Sequence, residues 1–319
     1  MRRRGIDNGL LRRYIGAGRV HGKGSMSRIL MIFVDGLGVG ERDSSKNPFA
    51  AVPSRIFRDF LDEPRSDVVE GGRAMRADAS LGVAGLPQSA TGQTALLTGI
   101  NAAAAIGRHV NGFPTRQLRD ILHEHSILKT LKERGLRVAF INVFNPLFFE
   151  ALEKGLPVRA SVTTVANMAA SLPFFGVGDL MERRAVYQDF TNRLLIEKGF
   201  DVPVFTPEEA GEILARSAVR YDFCLYEYFQ SDVVGHSQNR LKASEEVSKL
   251  DAFMLAVLAN CDFGETSIIL TSDHGNLEDL STPKHTRNPV PVLVWGKLAA
   301  CGPQMTSILD VVPLITDSL

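Results

Sequence analysis

The hexapeptide at residues 271–276, TSDHGN, constrains the fold of this chain more than any other stretch. It follows a short apolar run, residues 267–270, which predicts a buried strand of a parallel sheet. Asp273 and His274 would then stand just past the carboxyl end of that strand, where open α/β sheets place their ligands. A carboxylate beside a neutral imidazole suits Zn²⁺ or Mn²⁺. Taken alone, the same Asp equally predicts an ordinary helix N-cap.

A second carboxylate follows the first predicted strand. Residues 28–34, RILMIFV, form a continuous apolar run that ends at Asp35 and a glycine-rich turn, DGLGVG. Glycine-rich turns after a first strand also occur in dinucleotide sites, but this turn lacks the GxGxxG spacing and begins with a carboxylate. The pattern therefore favours a metal ligand at Asp35 over a pyrophosphate cradle.

Two further ligand candidates follow the predicted strand at residues 222–228. Asp232 and His236 are four residues apart, so a helix or turn would place both on one face. This is a favourable spacing for a metal pair, although a capping Asp with an unrelated His gives the same pattern. His285 precedes the strand predicted at residues 290–295. Together with Asp35, Asp273 and His274, these residues are numerous enough for two metal ions.

A candidate nucleophile lies in residues 84–99, AGLPQSATGQTALLTG. Pro87 and the small residues predict a turn, and residues 91–97 predict a short helix. Ser89 would lie at or just before the amino end of that helix, where free backbone N–H groups stabilise an alkoxide or a phosphoryl oxygen. A plain N-cap is the alternative role for Ser89, and Thr91 is the rival nucleophile.

Several weaker expectations complete the chain. Arg108 and His109 follow a small-residue helix and predict either a contact with an anionic substrate or a solvated loop. Residues 54–60 predict a helix-like segment. Residues 145–206 show helical stretches without strand alternation, which predicts a mostly helical insertion over the carboxyl edge of the sheet.

The motifs VDGLGVG, SDVVGHSQ, TSDHGN and HTRNPVP, in this order, resemble the alkaline phosphatase superfamily. Within it the chain is most similar to cofactor-independent phosphoglycerate mutase and phosphopentomutase, over residues 28–126 and from 208 to the end. The resemblance implies an α/β sandwich with a mostly parallel central sheet, helices on both faces and a small, mainly helical cap. We expect a catalytic core at residues 26–144 and 207–319, with the cap at residues 145–206.

The resemblance also implies roles for individual residues. Asp232, His236 and His285 match the ligands of one divalent metal, Mn or Zn. Asp35, Asp273 and His274 match the ligands of the other. Ser89 matches the nucleophile, because Thr98 and Gly99 follow it at the offset of the family. The mutases carry a His four residues after the nucleophile, and Gln93 stands there in this chain. We group Gln93 with Arg108 and His109 as candidate substrate contacts.

These roles predict a two-metal phosphoester hydrolase that acts on a small phosphorylated metabolite through a phosphoserine. If the phosphoryl group returns to another hydroxyl of the retained product, the protein is instead a phosphomutase. A non-catalytic metal-binding protein is the alternative from another class. The sequence does not indicate an oligomeric state.

The composition limits the kinds of binding partner and the cellular compartment that we expect. Lys plus Arg and Asp plus Glu each number 36, so bulk charge does not favour a nucleic-acid partner. No run has the length of a membrane span. The three cysteines lack metal-site spacing and predict buried residues in the cytoplasm. Residues 1–25 are basic and lack a secretory apolar region, so we expect either a disordered arm or a translation start at Met26.

Overall fold

The computed structural model describes residues 28–156 and 158–319. The expected N-terminal arm and the start at Met26 lie outside these residues. Within them, one sheet has seven strands in the order β2-β3-β9-β8-β1-β7-β4, and β5 pairs with β6 in a separate two-stranded sheet. The strands are β1 (Arg28–Val34), β2 (Asp67–Val68), β3 (Gly72–Ala77), β4 (Val138–Phe140), β5 (Asn142–Val143), β6 (Val186–Tyr187), β7 (Phe223–Tyr228), β8 (Thr266–Thr271) and β9 (Val290–Trp295).

The central sheet is mostly parallel, as predicted. β1 lies between β7 and β8 and is parallel to both, and β4 is parallel to β7. β9 is antiparallel to β8 and to β3. The strands β4, β7, β1, β8 and β3 therefore run in one direction. The four strands β4, β7, β1 and β8 bring their carboxyl ends to one edge, where ligands collect in such sheets.

Helices connect the strands and cover both faces of the sheet. They are α1 (Pro48–Ala51), α2 (Ser89–Thr98), α3 (Ala102–Ile106), α4 (Arg116–His125), α5 (Ile127–Glu133), α6 (Pro146–Glu153), α7 (Val162–Ala169), α8 (Val177–Met181), α9 (Arg193–Glu197), α10 (Pro207–Ala218), α11 (Gln230–Ser237), α12 (Arg240–Ala259), α13 (Lys297–Ala300) and α14 (Val311–Thr316), with a 3-10 helix at Ile308–Asp310. Helices α10 and α12 pack on one face, and α2, α4, α5 and α7 pack on the other.

Strand β1 shows why the sheet has an apolar core on each face. Successive side chains of a strand point to opposite faces. Leu30 and Ile32 join the core beneath α10 and α12, whereas Met31 and Phe33 join the core beneath α2 and α4. Both sets are buried, so the continuous apolar run in the sequence reflects a central strand that is covered on both sides.

The helix-like segment expected at residues 54–60 is wrong, because this stretch is irregular. Three of its backbone N–H groups donate to side-chain oxygens instead of to the carbonyls of a helix. Those of Arg55 and Ile56 donate to Oδ1 of Asp251 at 3.0 and 2.9 Å, and that of Phe57 donates to Oγ of Ser54 at 2.8 Å. Such local acceptors compete with a helix for the same donors.

The segment predicted as a cap, residues 145–206, contains α6 to α9 and β6. It shares the apolar cores of the sheet. Val162 and Val165 on α7 pack in the core beneath α2 and α4, and Leu180 and Phe190 pack in the opposite core. Its division from the rest of the chain as a separate cap stays a prediction.

The cysteines are less uniformly placed than predicted. All three are free thiols. Cys224 on β7 is buried and Cys261 is half-buried, but the expected burial is wrong for Cys301, which is exposed in the turn after α13. In the described part of the chain, none of the helices has the length and apolar character needed to cross a bilayer.

Candidate metal centre

Three neighbouring strands deliver most of the predicted ligands to one edge of the sheet. Asp35 follows β1, Asp232 lies in the first turn of α11 after β7, and Asp273 and His274 follow β8. Because β7, β1 and β8 are adjacent and parallel, these side chains meet at their carboxyl ends. His285 arrives from the loop before β9.

Asp232, His236 and His285 form what we term the outer ligand group. Nε2 of His236 lies 3.3 Å from Oδ2 of Asp232, and Nε2 of His285 lies 3.7 Å from Oδ1 of the same carboxylate. The two Nε2 atoms are 3.2 Å apart. One ligand atom from each residue lies within 4.8 Å of the other two, a spacing that a single ion can bridge.

Asp35, Asp273 and His274 form the inner ligand group. Nε2 of His274 lies 3.3 Å from Oδ1 of Asp35 and 3.4 Å from Oδ2 of Asp273. The groups adjoin each other, because the rings of His274 and His285 stack with centroids 3.7 Å apart. Asp232 also lies within 4.8 Å of Asp35 and His274, measured between ligand atoms. The carboxylate of Asp232 therefore lies within reach of both groups, and we term it the shared carboxylate.

Backbone carbonyls fix the orientation of all three imidazole rings. The Nδ1 atoms of His236, His285 and His274 lie 2.8, 2.9 and 3.4 Å from the carbonyl oxygens of Pro283, Pro87 and Gly275. A carbonyl only accepts, so each Nδ1 carries the proton and each Nε2 presents its lone pair to the centre. Histidines that ligate a metal typically donate their other ring N–H to such an acceptor.

The donor set fits divalent cations. Oδ1 of Asp35 and Oδ2 of Asp273 are buried without a hydrogen-bond partner in the described structure. Buried carboxylate oxygens in this state are costly unless a cation or proton reaches them. In the outer group the Nε2 lone pairs of His236 and His285 face each other, and this arrangement also favours a bound cation. Mixed carboxylate and imidazole ligands suit Zn²⁺ or Mn²⁺.

Burial shifts the protonation of these groups when no ion neutralises them. It raises the pKa of Asp35 well above its ordinary value, and the nearby carboxylates of Asp273 and Asp232 raise it further. Burial, together with Asp232, raises the pKa of Asp273 to about 7. Burial also lowers the pKa of His274 and of His285 to about 4. The imidazoles are therefore neutral near pH 7, the form that binds a metal.

The structure places Ser89 at the ligands and Thr91 away from them. Ser89 is the first residue of α2, and its Oγ lies 3.0 Å from Nε2 of His274. The Thr91 hydroxyl donates to the carbonyl of Gln88 at 3.1 Å and accepts from the N–H of Val110 at 3.2 Å. Two bonds to the backbone thus occupy the hydroxyl of the rival nucleophile and link the start of α2 to the loop at Val110.

The three candidate substrate contacts lie in different surroundings. Gln93 is buried at the centre, where its Nε2 donates to Oδ2 of Asp35 at 3.0 Å. Arg108 is exposed. Nε2 of His109 lies 3.3 Å from the carbonyl of Val83. Within the described residues, no hydrogen bond or ion pair joins Arg108 or His109 to the six ligands.

Sequence reasoning missed Glu278, which ties together the loops that carry the ligands. Its buried carboxylate accepts from the N–H of Gly38 at 3.0 Å, the N–H of Asn276 at 2.7 Å and the amide of Asn288 at 3.1 Å, and it also bonds the Thr286 hydroxyl. Its position two residues after TSDHGN was the available signal.

Asn276 and Gly36 support the shared carboxylate. The amide of Asn276 donates to Oδ1 of Asp232 at 2.7 Å. Gly36 has a φ of +70°, and a Cβ there would lie 2.7 Å from the same oxygen. Only glycine satisfies both the left-handed backbone and this close approach. The first glycine of DGLGVG therefore makes room for the Asp232 side chain at the start of α11.

Comparison with known families agrees with this geometry. Residues 198–311 match the family described as the Metalloenzyme superfamily. The matched segment holds every candidate ligand except Asp35. The chain is similar to this superfamily over that segment. Two solved alkaline phosphatases share its fold. That of the Antarctic bacterium TAB5 has a TM-score of 0.51 and 14% identity over 92% of this chain and 98% of its own. That of Shewanella sp. has a TM-score of 0.52 and 12% identity over 91% and 99%.

Curated relatives by sequence are 2,3-bisphosphoglycerate-independent phosphoglycerate mutases. The enzyme of Metamycoplasma hominis is 25% identical over 206 residues, which cover 61% of this chain and 41% of the enzyme. That of Paracoccus denitrificans is 30% identical over 121 residues, or 35% of this chain and 23% of the enzyme. The chain thus matches less than half the length of either relative.

Proposed function

We propose that the protein is a two-metal phosphoester hydrolase that acts on a small phosphorylated molecule through a phosphorylated Ser89. The observation that carries the proposal is the position of the Ser89 hydroxyl. It lies 3.0 Å from His274 Nε2, at the first residue of a helix and beside two adjoining ligand groups. One site would then contain the nucleophile, the charge that activates it and the groups that bind the phosphate.

The outer ligand group would hold one divalent ion and the inner group the other, with Zn or Mn as the candidates. Bound ions would supply the positive charge that favours the ionised Ser89 hydroxyl and neutralises the phosphoryl oxygens. The amino end of α2 supports the same role. In the described structure, the N–H groups of Ser89 and Ala90 have no acceptor, so both can donate to a phosphoryl oxygen.

The reaction would proceed in two displacements. In the first, a bond forms between Ser89 Oγ and phosphorus while the bond from phosphorus to the leaving oxygen breaks. The leaving oxygen takes a proton and departs as an alcohol. In the second, a water oxygen attacks phosphorus, the bond to Ser89 Oγ breaks, and the serine hydroxyl regains a proton. Inorganic phosphate is released.

A phosphomutase is the second candidate, and the names of the curated relatives favour it. In that case the phosphoryl group returns to another hydroxyl of the retained product. Two features support the hydrolase instead. Gln93 replaces the His expected in mutases and bonds to Asp35, and the segment at residues 145–206 is short for a lid that excludes water.

We also propose a compartment and a class of binding partner for the protein. We place the enzyme in the cytoplasm, and the three free cysteines support a reducing compartment. We expect a small phosphorylated substrate as the partner of the site, without a nucleic acid or a membrane.

The test is phosphate release from p-nitrophenyl phosphate by protein that has been stripped of metal and refilled with Zn²⁺ or Mn²⁺. We expect metal-dependent release that Ser89→Ala abolishes and Thr91→Val preserves, because the Thr91 hydroxyl already bonds the backbone. Bound metal with no release, but with isomerisation of a phosphorylated sugar or glycerate, would favour the mutase. Bound metal with neither reaction would leave a non-catalytic metal-binding protein.

A further inference from the structure

A cavity of about 560 Å³ opens beside the metal centre, between β5, α6 and α11. Its volume is in the range of small-molecule sites, which are mostly apolar with a few placed polar groups. The aromatic rings of Phe144, Phe148 and Phe229 line it. The rings of Phe144 and Phe148 pack against each other with centroids 4.5 Å apart. This wall offers a stacking surface for a flat or ring-shaped group.

Glu227 places a carboxylate in the same cavity. The residue is 5% exposed, and its Oε2 accepts from the Thr163 hydroxyl at 2.6 Å. Its backbone N–H and carbonyl bond to the Asn142 side chain at 2.9 and 2.7 Å, which holds the residue in place. Its Oε1 accepts no hydrogen bond in the described structure and is not among the fully buried, unpaired side-chain oxygens. This oxygen is therefore open to a hydrogen bond from a donor on a ligand.

The cavity is lined by residues of α11 and β7 that are close in sequence to Asp232. Gln230 and Val233 on α11 line it, and they flank the ligand Asp232 on the same helix. Glu227 on β7 also pairs with Phe33 on β1, two residues before Asp35. A molecule whose phosphate lies at Ser89 would therefore have space for the remainder of its structure in this cavity.

We infer that this cavity binds the leaving group of a phosphate monoester, and that this group is an apolar ring bearing a hydrogen-bond donor for Glu227. The inference rests on the proposed function and names its substrate class. Near pH 7 a second anionic group would meet the buried carboxylate, at a cost that increases with burial. Burial raises the pKa of Glu227 to about 7, so the residue accepts or shares a proton at the pH of the reaction.

The two cations that line the cavity do not reverse this preference. Arg159 and Lys198 are both exposed. The Arg159 guanidinium lies over the ring of Phe113, 5.4 Å from its centroid. Water screens exposed charges, whereas Glu227 acts from a buried position. The buried Glu227 would thus select the substrate more strongly than the exposed Arg159 and Lys198.

The test compares two aryl phosphates of similar shape, 4-(aminomethyl)phenyl phosphate and 4-carboxyphenyl phosphate, with methyl phosphate as a substrate that does not fill the cavity. For the metal-loaded enzyme we expect kcat/KM to be about tenfold higher for the aminomethyl compound than for the carboxy compound, the size of one charge-assisted hydrogen bond. Glu227→Gln should bring the two values together. Glu208→Gln, at an exposed position on α10, is the matched control and should leave the ratio unchanged.

Phe148→Ala supplies a second variant that does not depend on the carboxylate. It should raise KM for both aryl phosphates while changing their ratio little. Equal kcat/KM for the two aryl compounds, or a preference for the carboxy compound, with methyl phosphate still hydrolysed, would overturn the inference and leave the hydrolase intact. No turnover of any of the three would overturn the proposed function itself.

Discussion

The inner and outer ligand groups use the same residue types in different surroundings. In the outer group the His236 side chain is 40% exposed and Asp232 is 16% exposed. In the inner group the side chains of His274 and Asp273 are fully buried. Water can therefore reach the outer group, whereas the inner group lies under α2 and the loops that carry the ligands. The two groups thus contain the same residue types, but the outer group is open to solvent and the inner group is enclosed.

This difference assigns separate tasks to the two halves. Enclosed carboxylates need a compensating cation, and burial raises the pKa of both Asp35 and Asp273 when none is present. We therefore expect the inner ion to bind more tightly and to contribute to folding. The outer ion should exchange faster and respond more to small changes in its ligands. The three predictions below test this contrast.

The largest effect should come from Asp273→Asn. The substitution removes a charged inner ligand, so we expect it to lower turnover of p-nitrophenyl phosphate more than about 100-fold, beyond what loss of an outer-layer partner costs. Elemental analysis should find one ion per chain fewer. His236→Asn is the matched outer variant, and it should retain the inner ion. If Asp273→Asn kept both ions and near-normal turnover, the inner site would be misassigned.

Asn276→Ala should have an intermediate effect that is larger for the outer ligand group than for the inner one. Its amide donates to Oδ1 of Asp232 at 2.7 Å, and loss of such a partner reduces metal affinity about 10–100-fold. Titration of each ion into metal-free protein would measure this. We expect the weaker binding step to weaken further while the tighter step changes little. An equal loss in both steps would show that the two halves are not separable.

The smallest effect concerns stability without metal. The pKa of Asp273 rises from 3.8 to about 7 on folding, so the folded state binds the extra proton in this window. Stability should therefore fall as pH rises through it. In metal-free protein Asp273→Asn removes this loss, and its Tm should exceed that of the wild type by on the order of 5 °C near pH 8.

Calorimetry at several pH values would check this prediction. The advantage of Asp273→Asn should vanish near pH 4, because Asp273 is then protonated in the folded wild type. The lowered pKa values of His274 and His285 oppose this trend in both proteins. Added Zn²⁺ should reverse the order near pH 8. A metal-free wild type that gains stability relative to the variant as pH rises would contradict the enclosed inner half.

The sequence predicted the parts of the site that follow strands. Asp35 directly follows one apolar run and Asp273 lies three residues after the end of another, and these runs form β1 and β8 of the central sheet. Parallel neighbours then had to bring the two carboxylates to one edge. The local sequence pattern was sufficient to predict these positions, because a few residues determine both the strand and the point at which it ends.

Contacts between distant segments could not be predicted in this way. Glu227 bonds Thr163, which is 64 residues away on α7, and nothing in either local pattern indicates the pair. Residues 54–60 have apolar spacing that suits a helix, yet Asp251 on α12 takes their backbone donors. In both cases the deciding partner is brought close only by the tertiary fold.

Identification of the phosphorylated residue tests the central claim most directly. Metal-loaded protein would be mixed with p-nitrophenyl phosphate, quenched in acid within the first turnovers and digested, and the phosphopeptide would be sequenced by mass spectrometry. We predict phosphate on Ser89, no label in metal-free protein, and no label in Ser89→Ala. Phosphate on Thr91, or turnover of the ester with no phosphoprotein at any quench time, would contradict the account.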